Sequence, residues 1–134
     1  MKLLFAPFII PTRTRTMNQH QEEIVEELAQ IMHDPVQIQN IMIQLGGNYQ
    51  YMAPEDLVVG RYIRWINKKT LRMSTGGILY ALELTNRQCK VRVGTRHWST
   101  IVFDQCLFFQ KMNLLELELA SLDSLDSLDD ARVF

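Results

Sequence analysis

The spacing of apolar residues changes character twice along the chain. From residue 18, Ile24, Val25, Leu28, Ile31 and Met32 recur at intervals that place them on one face of a helix. Asn18 is the expected N-cap and Gln21 stands three residues on as its capping-box partner. Glu22 and Glu23 put negative charge in the first turn, at the positive end of the helix dipole. Asp34-Pro35 restarts the pattern, with aspartate as cap and proline at the first helical position. Ile38, Ile41, Met42 and Leu45 form the second stripe, and Gly46-Gly47 ends it. Two short amphipathic helices rarely hold a core alone, so residues 17–47 are expected to form a helical pair that lies against something else.

After Pro54 the period switches to two and β-formers take over. Five strands are predicted, at 58–67, 77–85, 89–94, 97–103 and 105–111. The turn signals between them are Thr75-Gly76-Gly77, Thr85-Asn86-Arg87-Gln88 and Gly94-Thr95. Short, closely spaced antiparallel strands predict a small barrel of the SH3-like or OB-like kind over residues 57–111. Cys89, Val91 and Val93 alternate with Lys90 and Arg92, giving that strand one core face and one basic face. The strand that starts near Gly60 has apolar and basic residues on both faces, and residues 106–109 are apolar on both. Such strands need cover from the N-terminal helices or from a partner. A short last helix is predicted from Asn113, with Glu116 completing a capping box and Leu115, Leu119 and Leu122 at helical spacing. Residues 121–129 repeat Ser-Leu-Asp, a period that fits neither helix nor strand. They read as an acidic low-complexity tail, either solvated or suited to folding onto a basic apolar groove. Residues 1–16 contain two prolines and no period and read as an extended arm, with Met17 as a second candidate start. The expected class is therefore α+β: an arm (1–16), a helical pair (17–47), a five-stranded barrel (57–111), and a short helix with an acidic tail (112–134).

At 134 residues, 47% apolar and 22% charged, the chain has room for one globular domain with arms. The longest apolar run, residues 3–10, is cut by Pro7 and closed by Pro11, well short of the roughly 20 residues of a membrane helix. The Pro-Thr-Arg-Thr-Arg that follows it is a poor cleavage site, so export is not expected. Two cysteines are too few for a disulfide scaffold and fit a reducing compartment. The net charge of -1 hides strong zoning. Residues 17–56 carry seven acids and no Lys or Arg, residues 57–111 carry ten Lys and Arg against two acids, and residues 112–134 carry six acids against Arg132. A basic middle between acidic flanks either binds something anionic or is partly neutralised by its own flanks.

Catalytic constellations are weak. His97, Asp104 and Cys106 lie within ten positions, but Cys106 sits in a hydrophobic strand with no glycine-rich elbow beside it. Zinc would need Cys89 and Cys106 with two of His20, His33 and His97, and no C-x-x-C or H-x-x-x-H spacing exists. His33 reads as a dipole-stabilising helix end, and Glu22/Glu23 with Glu26/Glu27 as a solvated helix face. Gly76-Gly77 lacks any phosphate-loop frame and reads as a hairpin turn. No enzyme activity, metal or cofactor is expected. The basic stretch is more informative. Arg61, Arg64, Lys68, Lys69, Arg72, Arg87, Lys90, Arg92 and Arg96 are interleaved with Tyr62, Trp65 and Trp98. Cations for phosphates and rings for bases are the chemistry of single-stranded nucleic-acid binders. Arginine and aromatic anchors equally suit acidic protein partners. The plainer expectation is that the rings fill the core and the arginines face outward. The candidate contact residues are Arg61, Arg64, Trp65, Lys68, Lys69, Arg92, Arg96 and Trp98.

The strings GRYIRWINKK (60–69), GGIL (76–79) and FDQCLFFQK (103–111) resemble small virion-associated proteins of nucleocytoplasmic large DNA viruses. The likeness covers about 50 residues, the expected barrel, and leaves the arm, helices and tail unmatched. It implies a non-enzymatic minor capsid component located in the virion or host cytoplasm, with coat proteins as partners. It transfers no functional residues: Arg61, Arg64 and Trp65 match only the shared strand. The expected function is accordingly structural, a protein that links neighbours through a basic aromatic barrel and terminal arms. The alternative is a nucleic-acid-binding module using the same basic face.

Overall fold

The structure, a computed structural model, describes residues 16–121. The arm expected at 1–16 and the Ser-Leu-Asp tail lie almost wholly outside the described residues. Two helices come first, α1 (Met17–Ala29) and α2 (Pro35–Leu45). Thr16, not Asn18, caps α1. Its hydroxyl accepts from the Gln19 amide at 3.2 Å, and the Gln19 side chain accepts from the Thr16 amide at 2.9 Å. Thr-x-x-Gln is the better capping box because the threonine hydroxyl and the glutamine carbonyl can serve each other's backbone amides. Asp34 caps α2 as expected, accepting from the Val36 amide at 2.9 Å, with Pro35 at the first helical position. Ile24, Leu28 and Met32 of the first stripe, and Ile41 and Leu45 of the second, are buried. Each such side chain contributes roughly 1.5–3 kcal/mol on removal from water.

Six strands follow instead of five: β1 (Tyr49–Met52), β2 (Tyr62–Asn67), β3 (Gly77–Glu83), β4 (Gln88–Val93), β5 (His97–Val102) and β6 (Cys106–Lys111). The extra strand, β1, is four residues long between Gly46-Gly47 and Pro54, too short to show a period. The first predicted strand shrinks because residues 58–60 make a turn, with Gly60 at φ +95° and the Arg61 amide donating to the Val58 carbonyl. The sheet is antiparallel in the order β1-β6-β2-β3-β4-β5 and stays open, so the expected closed barrel does not form. β1 occupies the free edge of β6 that a closing strand would need. A last helix, α3 (residues 114–121), follows β6. Asn113 and Glu116 cap it reciprocally at 2.8 and 2.9 Å, as the sequence predicts.

Two cores share this one sheet. On one face α1 and α2 pack onto β1, β6 and β2, burying Ile24, Leu28, Met32, Ile41 and Leu45 against Tyr49, Ile66, Leu107 and Phe109. On the other face Leu57, Ile63, Leu79, Cys89, Val91, Phe103, Cys106 and Phe108 form the second core. Alternate residues of β6 therefore serve opposite layers, which is why residues 106–109 read as apolar on both faces. Gly76-Gly77 is not a hairpin turn. Gly77 opens β3, paired with Ile63, and a Cβ there would stand 2.4 Å from the Arg92 carbonyl oxygen, so only glycine lets β3 and β4 approach this closely.

Candidate interaction surface on the bare half of the sheet

The helices cover only part of the face on which they lie. β2 turns Tyr62 and Arg64 toward this face, and across β3, β4 and β5 the helices no longer reach it. The backbone register aligns Tyr62 with Ile78, Ile78 with Arg92 and Arg92 with Trp98, one residue from each of four neighbouring strands. All four are exposed. Tyr80, the next outward residue of β3, joins the row at the register shift between Leu79 and Ala81. Its ring meets Trp98 edge-on at 4.7 Å, and the two remain 61% and 54% exposed. The Arg92 guanidinium carbon stands 5.8 Å over the Trp98 ring, and its Nη2 donates to the Thr95 carbonyl at 3.2 Å. This holds the cation and the ring as one unit. Lys90, on the same side of β4, is 3.4 Å from Glu83. Arg96 is exposed in the turn between β4 and β5.

The sequence-predicted contact residues divide into three groups. Arg92, Trp98 and Arg96 come together on or beside this row. Arg61, Arg64 and Trp65 instead hold the fold. Arg61 donates to the Lys111 carbonyl at 2.7 Å and pairs with Glu116, tying α3 to the sheet. Arg64 donates to the Ser74 carbonyl through Nε and to the Gln44 carbonyl at the end of α2 through Nη1, both at 2.9 Å. Trp65 packs against the second core and lines a cleft of about 270 Å³ with Asn67, Arg72, Met73, Ile101 and Cys106. Lys68 and Lys69 are exposed at the far end of β2, where Lys68 acts on Asp104 rather than on the aromatic row. Sequence reasoning named Tyr62 among the interleaved rings without choosing it, and missed Ile78 and Tyr80. The alternation of Gly77 and Leu79 with Ile78 and Tyr80 was the available signal.

The thiol constellation is spread out. His97 begins β5, whereas Cys106 follows its far end, and Asp104 pairs with Arg87 at 2.7 Å. Burial pushes the Cys89 thiol up to about 12, with Cys106 adding to the shift, and burial also raises Cys106, so both are poor nucleophiles at neutral pH. Among the described residues, no three His, Cys, Asp or Glu side chains gather to hold a metal, and no helix is long and apolar enough to cross a membrane. Compared with models of protein families, with curated proteins and with solved structures, the chain matches none.

Proposed function

We propose that this protein is a non-enzymatic interaction module whose working surface is the bare sheet face bearing Tyr62, Ile78, Tyr80, Arg92 and Trp98. The observation that carries this reading is the cross-strand row itself: four exposed side chains in register, three of them apolar or aromatic, beside helices that cover the rest of the same face. A contiguous exposed apolar patch rimmed by charge is unusual on a monomer and marks a binding site. Trp, Tyr and Arg are also the residues that anchor protein interfaces most often. A protein partner is favoured over nucleic acid because much of the basic charge is already spent. Arg61, Arg87 and Lys90 have carboxylate partners and Arg64 holds backbone carbonyls, so Arg92 and Arg96 are the cations left on or beside the row, a short track for phosphates. A structural role in a virion extends this reading through the resemblance of the three strings at 60–69, 76–79 and 103–111. The second reading, single-stranded nucleic-acid binding, is supported by three exposed rings with Arg92 and Arg96 beside them.

The test is a pull-down from the native source with the wild-type chain and Trp98→Ala as baits, each with and without nuclease. A protein partner recovered in stoichiometric amount, lost with Trp98→Ala and unaffected by nuclease, is the expected result. Recovery of nucleic acid alone, released by salt or nuclease, would transfer the surface to the second reading.

A further inference from the structure

The last helix is built inside out. In α3, Leu115 and Leu119 lie one turn apart, the spacing that would normally turn a stripe inward. Leu114 and Leu115 are instead 72% and 62% exposed, and Leu119 is exposed as well. The side chains that hold the helix down are Ala120, which is fully buried, and Glu116, which is pinned by Arg61 and by the Asn113 amide. Held through Ala120 and Glu116, with Leu117 half-buried, the helix presents Leu114, Leu115 and Leu119 outward, and Glu118 is exposed among them.

We propose that α3 of one copy docks on the bare sheet face of a second copy of this chain. The two surfaces match in kind: exposed leucines with an exposed acid on one, exposed aromatic and aliphatic residues with cations on the other. The charges complement as well. On α3 the acid not engaged by Arg61 is Glu118, and the cations on or beside the sheet row are Arg92 and Arg96. Glu118, Arg92 and Arg96 are all without an ion pair among the described residues. Within one chain the two surfaces stay apart: the clamp of Arg61 and Asn113 on Glu116 fixes α3, and Leu115 and Trp98 both remain exposed. Docking therefore runs between copies. It joins two different patches, so it is completed either reciprocally about a two-fold axis or by propagation into a ring or an open chain. An amphipathic helix seated on an apolar surface is a common recognition mode, and charge complementarity sets its register and on-rate.

This inference rests on the sheet face being the working surface and adds the identity of the occupant. The test is sedimentation of the full chain across the micromolar range, with circular dichroism as a check on folding. Wild-type mass is expected to rise with concentration above that of one chain and to fall back at high salt. Trp98→Ala, which breaks the sheet side, and the double variant Leu115→Glu/Leu119→Glu, which breaks the helix side, are each expected to stay monomeric. Mixed in equal amounts, the two variants should form a discrete dimer, because each keeps the half the other lacks. A wild-type chain that stays monomeric at every concentration, or a mixture that stays monomeric, overturns the proposal. If Trp98→Ala still loses its partner in the pull-down, that failure belongs to self-docking alone. If Trp98→Ala is neutral in both experiments, the sheet-face reading falls with it.

Discussion

One face of a single sheet does two different things on either side of β2. Over β1, β6 and β2 it is sealed by α1 and α2, and Tyr49, Ile66, Leu107 and Phe109 are buried there. Over β3, β4 and β5 the same face carries residues of similar bulk, Ile78, Tyr80 and Trp98, which stay exposed, with neither α1 nor α2 lying over them. Hydrophobicity alone does not separate the halves. What separates them is the reach of the helices and the fate of the arginines. Arg64, at the boundary, spends its donors on two backbone carbonyls, one of them at the end of α2. Arg92, one strand beyond β3, spends its cation on the ring of Trp98. The covered half contributes stability, and the bare half is the surface proposed for a partner.

This contrast can be broken experimentally, the largest effect first. Phe109→Ala removes a fully buried ring from the centre of the covered half and is expected to cost about 3–5 kcal/mol in denaturant unfolding. Trp98→Ala on the bare half should change stability by less than about 1 kcal/mol while abolishing association. Comparable losses of stability would erase the distinction. Next comes the arginine pair. Arg64→Ala leaves the Gln44 and Ser74 carbonyls without their charged donor and should cost about 1.5–3 kcal/mol. Arg92→Ala should cost about 0.5 kcal/mol or less and act on binding instead.

The thiols sharpen the picture of the second core. Cys89 and Cys106 should resist alkylation in the native protein at neutral pH and react together on unfolding, because burial keeps both protonated. Fast native labelling of either would show that this core opens. The smallest effect is electrostatic. The hydrogen bond from Arg87 holds the Asp104 carboxyl below the ordinary carboxylate range. A group with a lowered folded pKa stabilises fully above its unfolded value and loses that contribution as pH falls through the folded one. Asp104→Asn should therefore flatten a shallow acid-side loss of stability by lowering neutral-pH stability to its acid-side level, a small drop because both partners are exposed.

Much of this architecture is legible in the sequence where one residue type has one physical use. Asp34-Pro35 announces α2, the Asn113 and Glu116 pair announces α3, and the alternation around Val91 gives β4 its inner and outer faces. The unbroken apolar run of β6 announces that both of its sides are covered, without saying by what. β1 escapes because four residues carry no period, and closure into a barrel is wrongly expected because the strand that takes the free edge of β6 was not seen. The site was half legible for a related reason. Arg61, Arg64 and Arg92 are indistinguishable as a basic series in sequence. Which of them is free depends on where the carbonyls of Lys111, Gln44 and Ser74 arrive in space. Ile78 and Tyr80 are turned outward by the ordinary strand period, and they escape notice because they lie outside the series of basic residues.

The most direct test of the division between the halves is site-specific photo-crosslinking in the native source, with the reactive side chain placed either at Ile78 on the bare sheet or at Val36 on the outside of α2. Both positions are exposed, so both variants should fold and label with equal chemistry. Adducts from position 78 that are absent from position 36 are the predicted result. Equal adducts from both, or adducts from position 36 alone, would contradict the claim that the bare half of the sheet is where this protein meets its partners.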